Sequence, residues 1–96
     1  MKAVRRPLLL AFALAAQQKY DEAIPWYRKS LISFNALKME EAGARARIGL
    51  ADALLGKGEH AKALEEAIYA RRIGVALASD DVLWRALVSE ARAERK

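Results

Sequence analysis

The chain has 96 residues, no cysteine and a formal net charge of +5, with 54% hydrophobic and 30% charged residues. That length supports one domain around one core, and the composition is that of a folded chain. The missing cysteine excludes disulfides, thiolate metal sites and thiol nucleophiles. The positive balance suits an acidic partner, an anionic surface or nucleic acid, although the twelve acidic residues are interspersed with the basic ones.

Lys2, Arg5 and Arg6 precede an apolar run from Pro7 to Ala16 that contains Ala13-Leu14-Ala15. This resembles a secretory leader with its cleavage site. The same residues read as the first helix of the domain, from Pro7 in its first turn to about Gln18, with Leu10, Ala11 and Leu14 inward. Cleaving them would leave the next helix without its partner, so the expected location is cytoplasmic, with export the alternative if residues 1–16 act as a signal. No run is long enough to span a membrane.

Lys19-Tyr20-Asp21 reads as a turn, with Asp21 the N-cap of a second helix over about Glu22–Met39. Its apolar stripe is Ala23, Ile24, Tyr27, Leu31 and Phe34, and Pro25 falls in or just past its first turn. The third helix covers about Glu41–Leu55 and buries Leu50, Ala51 and Leu54. Gly56-Lys57-Gly58 should break it, through positive φ at the glycines. A fourth helix over about Glu59–Leu77 turns Ala63, Leu64, Ala67 and Ala70 inward. Ser79 or Asp80 caps a fifth, whose buried side is read as Trp84, Leu87, Val88 and Ala91. Valine and isoleucine never alternate with polar residues, so no strand is expected.

The same pattern recurs forty residues apart. Leu10, Ala11, Leu14, Tyr20, Ala23, Ile24, Tyr27 and Ser30 match Leu50, Ala51, Leu54, His60, Ala63, Leu64, Ala67 and Ala70 in order and spacing. A two-helix unit of this length indicates a helical solenoid. Tyr20-x-x-Ala23-Ile24-x-x-Tyr27-x-x-Ser30-Leu31 resembles the second half of a tetratricopeptide repeat. Pro7-x-x-Leu10-Ala11-x-x-Leu14, Arg47-x-x-Leu50-Ala51-x-x-Leu54 and Trp84-x-x-Leu87-Val88-x-x-Ala91 resemble its first half. The usual loop glycine is present as Gly58 and replaced by Gln18.

The resemblance covers roughly residues 4–95. It implies an all-α, right-handed solenoid of antiparallel helix pairs, about two and a half repeats in five helices. Repeat one would be about 4–40, repeat two about 41–78, and a capping helix about 80–95, all in one domain over 1–96. The alternative is a piece of a longer array. The forty-residue unit exceeds the standard one by about six residues, and Asn35 and Val75 stand where a closing proline is usual. Second helices extended by more than a turn are the expected consequence.

By the same resemblance, the first helix of each pair lines a concave groove that binds a peptide or a partner helix. Carried over residue by residue, the groove is Arg5, Leu8, Phe12 and Ala15, then Arg45, Ile48, Asp52 and Leu55, then Arg85, Ser89 and Arg92. An apolar strip edged by arginines suits a protein or peptide partner with apolar and acidic residues. The positions that clamp acidic chaperone tails in other members hold Leu8, Phe12, Gly49, Val82 and Ala86, so no such clamp is expected.

No enzyme is expected, and no cofactor or metal. His60, the single histidine, sits where the repeat places an aromatic packing residue and has no cysteine or second histidine beside it. Glu40-Glu41, Glu65-Glu66 and Asp80-Asp81 are adjacent pairs, which diverge on a helix. Gly56-Lys57-Gly58 lacks the length and following hydroxyl of a phosphate loop. Arg5-Arg6 and Arg71-Arg72, with Arg45 and Arg47, are the candidates for a polyanion or nucleic-acid face. Adjacent arginines point about 100° apart on a helix, which argues against one. Self-association into a homo-oligomer is the third reading, because two and a half repeats bury a small core.

Overall fold

The computed structural model describes residues 2–95; Met1 and Lys96, the ends of the expected domain, lie outside them. The chain forms five helices, α1 (Lys2–Ala16), α2 (Tyr20–Ala36), α3 (Glu40–Gly56), α4 (His60–Ala76) and α5 (Asp80–Glu94). Each packs on its neighbour in sequence, and α1, α3 and α5 also meet along one side. This is an all-α helical repeat of the tetratricopeptide kind. The molecule measures 38 × 32 × 17 Å, and 17 Å holds only about two layers of helices of ~10 Å diameter. So thin a body leaves little interior, and alanines fill much of it: Ala11, Ala23, Ala51, Ala53, Ala63 and Ala67 are fully or almost fully buried.

The repeat is finer than forty residues. Four three-residue connections recur every twenty residues, each with one residue at positive φ: Gln18 (61°), Lys38 (57°), Gly58 (85°) and Ala78 (52°). In each, the next N–H reaches back to the helix just ended, as Lys19 N–H to Leu14 C=O and Met39 N–H to Phe34 C=O, both at 2.9 Å. This is the helix-ending motif that glycine normally serves, and glycine fills it once. The six extra residues are shared as well: α3 is as long as α2 and α4, at 17 residues each. The extension expected of the second helices alone is corrected accordingly.

Several local expectations change. Pro7 lies inside α1 rather than in its first turn. Lys19, not Asp21, holds the cap position of α2, without a side-chain bond. Asp21 sits in the first turn, where its charge favours the helix N-terminus, and bonds Lys57 Nζ at 2.7 Å. Gly56 is helical; a Cβ there would stand 2.7 Å from Tyr20 Cε1, so it serves close packing rather than the break. Ser79 does cap α5, accepting from the Val82 N–H at 3.4 Å.

The α2 stripe Ala23, Ile24, Tyr27, Leu31 and Phe34 is buried, as are Leu50, Ala51, Leu54, Ala63, Ala67 and Ala70. Leu10 is 38% exposed. The reading of α5 is reversed: Val82, Ala86, Ser89 and Ala93 face inward, while Trp84 is 66% exposed and Leu87 is also exposed. Pairing Trp84 with Arg47 assumed a spacing of thirty-seven residues. The connections impose forty, which aligns Val82 with Ala42, Ala86 with Ala46 and Ala93 with Ala53. Gly74 locks this phase, because it brings α4 against the backbone of Leu83. Trp84 therefore does not lie on the buried side of α5.

Candidate functional site

Leu8 and Phe12 of α1, Arg45, Ile48, Gly49 and Asp52 of α3, and Asp81 and Arg85 of α5 line one cleft of about 400 Å³. Behind its floor lies α2. Tyr27 reaches between α1 and α3, and the Phe12 ring meets it edge-on with centroids 5.7 Å apart at 76°. Tyr27 can lie there because position 49 carries no side chain. The Ser30 hydroxyl donates to the Tyr27 carbonyl at 2.7 Å, which satisfies a buried polar group within its own helix. Phe12 remains 43% exposed over this floor.

The charged rim is internally paired. Arg45 donates from Nε and Nη2 to Asp81 Oδ2 at 3.3 and 3.1 Å, and its Nη2 lies 3.2 Å from Glu41 Oε1. Arg85 Nε donates to Asp81 Oδ1 at 3.0 Å, one turn along the same helix. Asp81 thus ties α3 to α5 through two guanidiniums. The hydrogen bond from Arg85, aided by Arg45, holds its carboxyl below the ordinary range. Deeper in, the Ser89 hydroxyl donates to Asp52 Oδ1 at 2.9 Å and Arg92 Nη1 lies 3.7 Å away. Burial nevertheless raises the Asp52 carboxyl, against both of those partners. Burial first, and then the charge on Asp52, push the Tyr27 phenol up to about 12.

Of the residues read as a groove, Leu8, Phe12, Arg45, Ile48, Asp52 and Arg85 come together in this cleft. Ile48 is mostly buried, packed with Ala44, Val82 and Ala86. Arg5 lines an adjoining hollow with Leu9, Phe34 and Met39, joined to the cleft through Leu8 and Arg45. Leu55 and Ala15 pack against the core instead. Ser89 is buried and hydrogen-bonded to Asp52, while Arg92 stays exposed beside the same carboxylate. Val82 and Ala86, taken as groove positions, are fully buried. Asp81 was missed; its signal was its place four residues before Arg85, where a helix brings the two side chains together.

Arg71 and Arg72 point to different surroundings. Arg71 Nε donates to Glu90 at 2.7 Å, while Arg72 lines a hollow on another side with Asn35, Glu40 and Tyr69. Arg47 lines that hollow too, lying 3.8 Å over the Tyr69 ring and 2.8 Å from Glu66, far from its near neighbour Arg45 in the cleft. His60 is half-buried and lines a shallow hollow with Ala61, Leu64 and Ala93. Among the described residues no group of three histidine or acidic side chains converges on a metal site, and no helix is long and apolar enough to cross a membrane.

A family model described as tetratricopeptide repeat matches residues 4–73, which run from α1 into α4. No curated protein and no solved structure matches the chain.

Proposed function

The chain belongs to the tetratricopeptide repeat family, whose members generally mediate protein–protein interaction, and on that premise we propose that its α1–α3–α5 cleft holds an amphipathic segment of a partner. The observation that carries the reading is one juxtaposition: the exposed Phe12 ring and Leu8 share a cleft with Arg45 and Arg85. An apolar face entering there would be buried against Phe12 and Leu8. Carboxylates on its flanks would meet the two guanidiniums. Because Asp81 already occupies both arginines, an incoming carboxylate must exchange with it. Apolar burial then supplies most of the affinity, and the arginines set orientation and partner choice. The family is typically a non-catalytic one, and the cleft's ion pairs fit a recognition surface.

Selection of a random peptide library on the immobilised chain tests this. The enriched peptides should combine large apolar residues with Asp or Glu and should lose binding to a folded Phe12→Ala/Arg85→Glu variant. Enriched peptides that bind that variant as tightly as the parent would overturn the assignment of the cleft.

A further inference from the structure

The face of α5 turned away from the body carries a stripe that nothing else in the fold uses. Asp80, Trp84, Leu87 and Ala91 follow one another at steps of four, three and four residues, the spacing that keeps a seam on one side of a helix. All four are exposed. Forty residues earlier Ala51, the counterpart of Ala91, is fully buried in the core that α3 forms with its neighbours. No described helix occupies the corresponding side of α5. The stripe therefore has the composition of a helix-packing face.

We propose that this face pairs with the same face of a second copy, with the two α5 helices antiparallel about a twofold axis between Leu87 and Val88. Three observations choose this occupant and this direction. The stripe is complementary to itself when reversed: with Leu87 opposite Val88, Trp84 of each copy falls opposite Ala91 of the other, large against small, and the two Leu87 side chains meet beside the axis. The chain packs its own helices in this way, with Tyr27 against Gly49 and Tyr20 against Gly56. The same register sets Asp80 opposite Arg95, a cation at the end of the other helix. A parallel pair would stack Asp80 on Asp80 and tryptophan on tryptophan, and would align the two helix dipoles unfavourably. Arg85 and Arg92 project toward the cleft side of α5, so each copy keeps its cleft open and the dimer presents two of them. This surface is independent of the peptide reading of the cleft.

Sedimentation equilibrium tests the pairing. The parent chain should show a dimer whose association strengthens with added salt, because each copy carries a net charge of +5 and salt screens that repulsion. Trp84→Ser should raise the dimer dissociation constant by about 30-fold or more, as expected for a central aromatic anchor. Leu87→Glu and Leu87→Lys, both at an exposed position, should each give monomers, since each sets like charges together beside the twofold axis. An equimolar mixture of those two variants should recover the dimer. With Trp26→Phe leaving Trp84 as the sole tryptophan, its emission should move to shorter wavelength as concentration rises. A monomer at the highest soluble concentration, or a dimer unchanged by Leu87→Glu, would overturn the proposal. A dimer that salt dissociates would overturn it too, because that places the contact on charged rather than apolar groups.

Discussion

The Tyr27 ring occupies the space that a side chain at Gly49 would need: a Cβ at position 49 would stand 2.8 Å from Tyr27 Cζ and 3.0 Å from its hydroxyl oxygen. Tyr27 is 2% exposed and supports Phe12, so this one vacancy sets both the α2–α3 packing and the floor of the cleft. Gly49→Ala should destabilise the fold by about 1–3 kcal/mol through overpacking, although alanine is the better helix former by about 1 kcal/mol. Urea titration would measure it. Adding Tyr27→Leu should return part of the loss, a coupling that a double-mutant cycle reads directly. Gly74→Ala should cost at least as much, because the opposing atom is the Leu83 backbone nitrogen at 2.9 Å, which has no rotamer to change.

The connections make a second prediction, of the opposite sign. Ala78 has φ 52° with a Cβ to accommodate, and the left-handed region costs a non-glycine residue roughly 1–2 kcal/mol. Ala78→Gly should stabilise the chain by about 0.5–1 kcal/mol, the remainder being offset by greater freedom of glycine in the unfolded chain. Gly58→Ala should destabilise it, although nothing lies within 4 Å of the added methyl, because φ is +85°. Thermal melts of the two variants should move in opposite directions.

Alkaline pH should expose the burial of Tyr27. Its phenol is pushed from 10.0 up to about 12, so between these values the unfolded chain has released a proton that the folded chain still holds. Stability is then fully present below about pH 10 and falls as the pH rises toward 12. Two pKa units correspond to about 2–3 kcal/mol across that interval. Tyr27→Phe should remove this part of the slope, so the difference between parent and variant in denaturant midpoint against pH is the readout.

Asp81 competes with any incoming carboxylate for Arg45 and Arg85. Asp81→Asn keeps the shape, releases Arg85 and leaves Arg45 paired with Glu41 alone, so a peptide selected for the cleft should bind it more tightly, by about two- to tenfold, and with a steeper loss in salt. Arg45→Glu/Arg92→Glu should weaken the same peptide without unfolding the chain. Isothermal titration at two ionic strengths distinguishes these outcomes. Equal affinity of parent and Asp81→Asn would remove the carboxylate exchange from the binding scheme.

Much of the architecture was legible because it depends on local periodicity. The forty-residue recurrence and the stripe through Ala23, Tyr27 and Phe34 state a helix pair whatever surrounds them. Six of the cleft's eight lining residues are among those that the family resemblance placed along a groove. The connections were harder to read, because Gln18, Lys38 and Ala78 adopt a glycine-like φ without a residue type that signals it. Asp81 escaped because adjacency to Asp80 suggested a cap, whereas its partner Arg45 lies thirty-six residues away.

By itself, the sequence determined the helices, the repeat and the inward face of α2 through α4, since apolar spacing acts within one helix and needs no knowledge of neighbours. Only the tertiary structure decided the phase of α5. The stripe through Trp84, Leu87 and Val88 is the more apolar of its two candidates, yet the choice fell to the close approach of Gly74 to the Leu83 backbone and to the twenty-residue spacing of the connections. The same holds for the cleft's charge. Arginines that read as a basic rim are tied to Asp81, Glu41 and Asp52, because ion pairing depends on which helices are adjacent in space rather than in the chain.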